Sequence, residues 1–351
     1  MIFDSESVFE ENVITVLKQH GWKDGVLRYP TERDLLDNWK GILYRNNNDI
    51  DRLGKYPLTD GEMTQIIEQI ETLRTPLALN SFVNGRTVSI TRDNKEDVAH
   101  FGKEVSLYIY DRKEIAGGKS TYQIAQQPVY PAKNKMLNSR RGDLVLLING
   151  MPLIHIELKK SGIPVSQATN QIEKYAHEGV FTGLFRLVQI FVAMNPDDAV
   201  YFANPGVDKF NPSYYFHWAD YNNEPICGGQ NPGKDEWKLF IGGTSGTAGL
   251  LSIPMAHQLI GFYTIADSAD GCLKVLRSYQ YIAANAISDV VRKCDWEQRP
   301  ATPGRPGGYV WHTTGSGKTM TSFKSAQLIA DSHDADKSCF SWTALNWVLN
   351  R

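Results

Sequence analysis

The sequence is short of cysteine, of long apolar runs and of charge imbalance, and each shortage removes a class of protein. Its four cysteines, Cys227, Cys272, Cys294 and Cys339, lie far apart with no C-x-x-C pair, a distribution that fits neither a disulfide framework nor a zinc knuckle. A reducing compartment is expected. No apolar run approaches the ~18 residues of a membrane span, and Met1 to Glu11 carries acids where a secretory signal has basic residues. We therefore expect an intracellular, cytoplasmic chain with no membrane partner. Lys+Arg 37 against Asp+Glu 39 leaves a net charge of -2, which argues against a uniformly basic nucleic-acid coat but permits a local basic groove. No internal repeat is visible. What remains is 351 residues, 42% hydrophobic, which is ample for two ordinary domains with cores and excludes overall disorder.

Local patterns give an α/β reading. From Asp4 to Gln19, Phe9, Val13, Val16 and Leu17 recur at helical spacing, with Asp4 or Ser5 as candidate N-cap and Gly21 just past the end. From Ser81 to Tyr130 the runs shorten and alternate, as in Thr87–Ile90 and Val105–Ile109, with turn signals at Asn84-Gly85 and Gly117-Gly118. These predict strands of one sheet. Leu144–Ile148 and Leu153–Leu158 follow with Asn149-Gly150 between them, a hairpin signal. A helix is expected over about Val165 to Glu178 and a strand over Leu187 to Ala193. Asn204 to Gly249, rich in Gly, Asn, Pro and aromatics, predicts irregular loops linking two bodies, with a boundary near 249. Beyond it come a helix over Leu273–Val291, a Pro/Gly loop over Thr302–Gly308, and a short strand, Tyr309–Trp311, leading into a glycine turn and a further helix.

Asp143 opens one strand of the hairpin and Glu157-Leu158-Lys159 closes the other. A spacing of two puts Glu157 and Lys159 on one strand face. A two-residue Asn149-Gly150 turn pairs Asp143 with Ile156 and sends Asp143 and Glu157 to opposite faces. A three-residue loop, Asn149 to Met151, pairs Asp143 with Glu157. A shared site thus requires a three-residue or otherwise odd loop, such as a type I turn plus a left-handed glycine with a G1 bulge. Two carboxylates and a lysine at one sheet edge suit Mg²⁺, a hard cation that keeps several waters, and make phosphodiester cleavage plausible chemistry. The alternative is that they are ordinary strand-end charges, solvated or salt-bridged.

Twelve residues after Lys159 comes Gln171, with Tyr175 one helical turn further on the same face. Asp-x(13)-Glu-x-Lys followed by Gln-x-x-x-Tyr resembles the PD-(D/E)xK nuclease domain that opens type I restriction enzyme R (motor) subunits. Gly142 stands where the family's Pro is familiar. The resemblance implies a restriction-endonuclease-like mixed sheet flanked by helices. It also implies a Mg²⁺-dependent cleavage site of Asp143, Glu157 and Lys159, with Asp143 and Glu157 on the metal and Gln171 and Tyr175 supporting the site against DNA. Glu10 or Glu6 could add an acid, although a solvated helix face is the simpler account of both. Tyr29, Trp39 and Tyr44 interleave with Arg28, Arg33, Lys40 and Arg45, either to stack on and neutralise DNA or as a solvated, partly helical surface. His155 shares the strand face of Glu157, and His177 follows on the next helix; neither is assigned to catalysis.

Downstream, Tyr309-Val310-Trp311-His312-Thr313-Thr314-Gly315-Ser316-Gly317-Lys318-Thr319 reads as strand, glycine turn and helix start. Backbone N–H groups of such a turn, through Thr314, Gly315, Ser316 and Gly317, cradle phosphates; Lys318 reaches the β/γ-phosphates and Thr319 ligates Mg²⁺. His312 occupies the place of the usual first Gly, and the variant is similar to that of type I R-subunit helicase motors. Arg277-Ser278-Tyr279-Gln280 resembles the Q-motif of superfamily 2 helicases, which implies that Gln280 reads the adenine edge of ATP. His217-Trp218-Ala219-Asp220 resembles the join between the two modules.

The resemblance implies three parts: a nuclease domain over 1–249, the start of a partial RecA-like (P-loop) lobe over 250–337, and a tail over 338–351. A helicase core needs a second acidic motif and a second lobe, which do not fit in the 32 residues after Thr319. After Lys337 the tail departs from the family, and codons permitted for it can spell Leu-Phe-Phe-Leu-Asp-Arg-Thr-Glu-Leu when read in a shifted frame. A truncation or frameshift in a longer gene is expected. The implied function is the DNA-cutting module of a type I site-specific deoxyribonuclease, partnered by double-stranded DNA and by methyltransferase and specificity subunits, with ATP-driven translocation confined to a full-length protein. A catalytically silent nucleotide-binding module and a methyltransferase-docking fragment are the alternatives.

Overall fold

A computed structural model of the chain describes residues 2–115, 117–131, 140–229, 235–293, 309–333, 337–341 and 346–350, the last two stretches as backbone. The expected loop over 302–308 and the side chains of the tail lie outside the described residues. The chain divides into two compact units, residues 1–218 with 225–275, and residues 219–224 with 276–351.

The first unit opens with α1 (Glu6–Gln19), started by Ser5, whose hydroxyl accepts from the Val8 amide. Its apolar stripe buries Phe9, Val13, Ile14 and Leu17, and Phe9 meets Trp237 edge-on at 5.2 Å. After β1 (Val26–Arg28) come α2 (Glu32–Asn46), α3 (Asp60–Thr72) and α4 (Pro76–Asn84). α2 and α3 each begin with a reciprocal capping box, Thr31 with Asp34 and Thr59 with Glu62, and α4 begins on Thr75 with Pro76 in its first turn. The strands follow as β2 (Thr87–Thr91), β3 (Glu104–Tyr108), β4 (Tyr122–Gln126), β5 (Leu144–Ile148) and β6 (Met151–Leu158). Then come α5 (Val165–His177), β7 (Ile190–Met194), β8 (Ala199–Ala203), α6 (Glu236–Gly242), α7 (Met255–Gly261), β9 (Thr264–Asp267) and β10 (Cys272–Val275).

A six-stranded mixed sheet, ordered β1-β4-β5-β6-β7-β8, forms the core. β4 to β8 are buried along their whole lengths, as expected of a sheet covered on both faces. The strands between Ser81 and Tyr130 do not all join it: β2 and β3 make a separate antiparallel pair, and Ser81–Asn84 is the end of α4. Their alternation of exposed and buried side chains, with Val88, Ile90, Val105 and Leu107 inward and Thr87, Thr91, Glu104 and Tyr108 outward, belongs to a sheet with one wet face.

The loop of the β5–β6 hairpin also differs from expectation. It is a two-residue turn, with Asn149 at φ 52° and Gly150 at φ 83° and Ile148 paired to Met151, the left-handed pair of a type I′ turn. The odd residue lies in the strand instead. The register shifts between Leu146 and Leu147, so that Leu147 faces Pro152 but Leu146 faces Ile154 and Leu144 faces Ile156. Pro152 has no N–H to give the ladder, and a bulge is where a strand tolerates that. Continued by one residue, this register sets Asp143 opposite Glu157.

Asn204–Gly249 is largely part of the first unit rather than a linker. Its aromatics are core residues: Trp218, Trp237 and Phe240 are buried, and the Trp218 indole donates to the Ala248 carbonyl at 2.8 Å. The division between units falls at Val275, later than 249, because Leu250, Leu251, Met255, Leu259 and Ile260 fill the same core and the Trp22 indole donates to the Leu251 carbonyl at 2.6 Å.

The second unit holds α8 (Ser278–Lys293) and α9 (Lys318–Ser332), and then a backbone hairpin of β11 (Lys337–Ser341) and β12 (Asn346–Asn350). The strand expected over Tyr309–Trp311 is not formed. Among the described residues no strand lies alongside to complete a ladder, and Tyr309 and Trp311 are exposed. Among the described residues no helix is long and apolar enough to cross a membrane.

Candidate functional site

The bulge in β6 gathers the predicted residues at one end of the sheet. Glu157 is fully buried, Lys159 nearly so, and the Leu158 amide donates to Asp143 Oδ2 at 2.7 Å, which locks the two strand ends together. Lys159 Nζ stands 3.5 Å from Glu157 Oε1 and 3.6 Å from Glu6 Oε1, and donates to the Leu158 carbonyl at 2.9 Å. Burial lifts the Asp143 carboxyl well above the usual carboxylate range, reinforced by the neighbouring Glu157 and opposed by the Leu158 amide. Burial likewise raises Glu157 to about 8 against the pull of Lys159. Neither Glu157 oxygen has a hydrogen-bond partner among the described residues. Two buried carboxyls short of compensating charge are an environment that favours a cation.

Gln171 and Tyr175 also reach this end. Gln171 Nε2 donates to the Tyr175 hydroxyl at 2.7 Å, and that hydroxyl donates to the Arg141 carbonyl at 2.9 Å. The pair braces the backbone two residues before Asp143. Glu10 is buried rather than solvated: Gln126 Nε2 donates to it at 2.6 Å, Gln127 Nε2 donates at 3.2 Å, and burial raises its carboxyl. The Gln127 amide in turn donates to the Asp143 carbonyl at 2.7 Å. Among the described residues no group of three or more His, Cys, Asp and Glu forms a ready-made metal cage. Asp143 and Glu157 are therefore the oxygen pair available to an ion that completes its shell with water.

Two residues that motif spacing left without a role belong to this end of the sheet. His155 Nε2 lies 3.4 Å from Glu157 Oε2, and His155 Nδ1 meets the Tyr130 hydroxyl at 2.8 Å. Strand alternation placed His155 on this face; nothing in the sequence pointed to Tyr130, 25 residues earlier. His177 lies near Glu173 and Asp208 on an exposed surface. Of the basic and aromatic residues near the N-terminus, Trp39 is buried, Arg28 pairs with Glu11, and Arg33 and Lys40 pair with Asp60. Tyr29 is half-exposed, with the Arg141 guanidinium 5.8 Å from its ring centre.

In the second unit Gly315 and Gly317 both take left-handed φ, 78° and 76°, and α9 starts at Lys318. Thr314, Gly315, Lys318 and Thr319 are exposed. Lys318 Nζ donates to the Thr313 carbonyl at 2.8 Å, and the Ser316 hydroxyl donates to the same carbonyl at 2.7 Å. Gln280 is buried and faces the turn: its amide nitrogen donates to the Ser316 and Gly317 carbonyls at 3.2 and 3.4 Å, and its oxygen accepts from the Arg277 amide at 2.9 Å. A cleft of about 650 Å³ opens beside the turn, lined among others by Arg277, Tyr279, Trp311 and His312, without Gln280.

The architecture is that of an α/β protein whose first unit carries a buried acid pair and whose second carries a glycine-rich turn at a helix N-terminus. Residues 4–210 match the family described as type I restriction enzyme R protein N terminus, and residues 279–340 match the SWI2/SNF2 ATPase family. The chain belongs to the type I restriction enzyme R-subunit family and spans its N-terminal region and the start of the ATPase region. It is 30% identical over 348 residues to the type I restriction enzyme SsaAORF53P endonuclease subunit of Staphylococcus saprophyticus, covering 97% of this chain and 32% of that protein. It is 31% identical over 342 residues to the SauMSSORF170P endonuclease subunit of Staphylococcus aureus, with the same two coverages. It is also 26% identical over 321 residues to the EcoprrI endonuclease subunit of Escherichia coli, covering 88% of this chain and 90% of that protein. The chain thus spans about a third of the length of the staphylococcal relatives.

Proposed function

We propose that the first unit is a Mg²⁺-dependent DNA endonuclease module with a PD-(D/E)xK-type site, in which Asp143 and Glu157 hold the metal and Lys159 acts on the scissile phosphate. The observation that carries this reading is the pair of Glu157 oxygens, buried and without hydrogen-bond partners among the described residues, beside the buried Asp143 carboxyl. A bound Mg²⁺ supplies neutralising charge for the phosphate and acidifies an attacking water. The Lys159 ammonium meets the charge that builds on the phosphate oxygens in the transition state. Gln171 and Tyr175 hold the backbone before Asp143, so that its carboxyl keeps its place as DNA approaches.

In the second unit, Gly315 to Lys318 and Thr319 form a phosphate-binding turn of a partial RecA-like lobe, and ATP is its ligand. Gln280 holds the turn's carbonyls and so acts on the loop. We infer that ATP-driven movement on DNA, and assembly with methyltransferase and specificity subunits, require chains as long as the staphylococcal endonuclease subunits, of which this one spans about a third.

The test is calorimetric titration of Mg²⁺ or Mn²⁺ into the purified chain with short duplex DNA present, for the parent, Asp143→Ala and Glu157→Ala. Metal heat in the parent that both substitutions abolish supports the site without requiring turnover. Identical titrations in all three proteins sink it.

A further inference from the structure

The Tyr130–His155 pair has no part in the reading above, and its surroundings are unusual. The imidazole is fully buried in an aromatic box, with ring centres of Tyr130, Phe181, Phe191 and Tyr175 between 5.5 and 6.3 Å away. Its Nδ1 meets the Tyr130 hydroxyl at 2.8 Å, while its Nε2 has no hydrogen-bond partner among the described residues and lies 3.4 Å from Glu157 Oε2. The Tyr130 side chain is itself buried. If His155 carried its proton on Nδ1, the phenol would accept it and the phenolic proton would have no acceptor among the described residues, leaving a buried donor unsatisfied. That favours the phenol as donor to Nδ1 and the imidazole proton on Nε2, which stands 3.4 Å from Glu157 Oε2 without forming a hydrogen bond to it.

Gly142 belongs to the same arrangement. A side chain there would collide with the Tyr130 hydroxyl and approach the His155 ring within 2.8 Å. The residue before Asp143 is a glycine because the Tyr130–His155 pair occupies the space that any larger residue, proline included, would need.

We propose that Tyr130 and His155 form a positioning relay for Glu157: Tyr130 fixes the ring with its proton on Nε2, and that N–H, 3.4 Å from Oε2 in the metal-free chain, closes onto it when the carboxylate takes up a metal, so that the other oxygen, Oε1, is presented on the Lys159 side. The proposal rests on the metal-site reading above. Its logic is that of outer-shell partners generally, which fix the orientation of a metal ligand and whose loss lowers metal affinity by roughly 10–100-fold.

Two measurements test it. Long-range ¹H–¹⁵N correlation at the His155 ring, read in the metal-free full chain, is expected to show a bare Nδ1 and a protonated Nε2, and Tyr130→Phe is expected to mix the two tautomers. A protonated Nδ1 in the parent overturns the relay, and needs no metal to do so. In calorimetric Mn²⁺ titrations, His155→Leu, which keeps the bulk and removes the donor, is expected to weaken binding at least about tenfold, and His155→Gln, whose amide can still donate to Glu157, to recover most of it. If His155→Leu titrates like the parent while Asp143→Ala abolishes binding, the relay is wrong and the metal site stands. If Asp143→Ala and Glu157→Ala also titrate like the parent, the metal-site reading itself has failed, and the tautomer alone judges the Tyr130–His155 geometry. Should His155→Leu not fold, Tyr130→Phe carries the calorimetric arm, with a few-fold weakening expected and no change overturning the relay.

Discussion

The two chemically suggestive regions differ in how their polar groups are satisfied. At the end of the mixed sheet the carboxyls of Asp143 and Glu157 are buried, and the Glu157 oxygens have no hydrogen-bond partner among the described residues. At the glycine turn the chemistry-bearing groups are spent on the turn itself: the exposed Lys318 and the half-buried Ser316 both donate to the Thr313 carbonyl, and the buried Gln280 holds the carbonyls of Ser316 and Gly317. The first region maintains an unfavourable electrostatic arrangement that a cation would relieve. The second has relaxed onto its own carbonyls, so a phosphate must displace those bonds to bind. A preorganised site reports on its ligand through affinity, whereas a relaxed one also spends binding free energy on reopening.

The largest effect that tests this contrast is the loss of a metal ligand. Asp143→Ala or Glu157→Ala should remove metal heat altogether, a loss beyond the roughly 10–100-fold of outer-shell changes. In the same proteins without metal the direction reverses: Asp143→Asn should melt above the parent, because it removes one of two adjacent buried acids. A lower melting temperature for Asp143→Asn would mean that the pair is compensated after all and that the contrast is false.

A satisfied buried group in the same unit gives the control. His257 accepts from the Tyr122 hydroxyl at Nδ1, 2.8 Å away, donates from Nε2 to the Asp111 carbonyl at 3.0 Å, and stacks on Tyr110. Burial lowers it from the model-peptide 6.5 to about 4. The unfolded chain therefore takes a proton near pH 6.5 while the folded chain resists until about pH 4. Its contribution is present in full above pH 6.5 and is lost as pH falls toward 4, up to about 3 kcal/mol in all. Urea melts across that window should fall less steeply for His257→Gln than for the parent; parallel slopes would show that His257 titrates normally.

The legible parts of the molecule were those set by short-range repetition. The stripe of α1, the alternation that puts Glu157 with Lys159, and the one-turn spacing of Gln171 and Tyr175 need only a period to be read. Two capping boxes, Thr31/Asp34 and Thr59/Glu62, were also legible signals for α2 and α3 and went unused. The illegible parts depend on partners far along the chain. A turn of Asn149-Gly150 alone predicts the wrong face for Asp143, and it takes the bulge by Pro152 to restore the register. Tyr130 and His155 meet only because β5, β6 and the segment before them are folded together. The division of the strands into two sheets, and the burial of Trp218 and Trp237 in what reads as loop, follow from tertiary packing that overrides local composition.

Gln280→Ala tests the relaxed region next. The substitution strips partners from two turn carbonyls and from the Arg277 amide, a loss of about 1–3 kcal/mol expected in the unfolding of the second unit. If Gln280 acts on the loop, a fluorescent ATP analogue and a GTP analogue should weaken together. Selective loss of the adenine nucleotide would instead make Gln280 a base reader and return it to the role its motif implies.

The smallest structural effect is expected at Lys318. Its side chain is exposed, and among the described residues its ammonium donates to the Thr313 and His312 carbonyls, at 2.8 and 3.4 Å; water can replace both bonds, so Lys318→Ala should melt with the parent. Inorganic triphosphate separates the two descriptions of the turn. If the lysine leaves Thr313 to meet phosphate, triphosphate binding is lost in Lys318→Ala with no change in melting, and Lys318→Arg, longer and forked, recovers little of it. If Lys318→Ala instead lowers the melting temperature and leaves triphosphate binding as it was, the lysine is a strut of the turn, and the relaxed geometry is its working state.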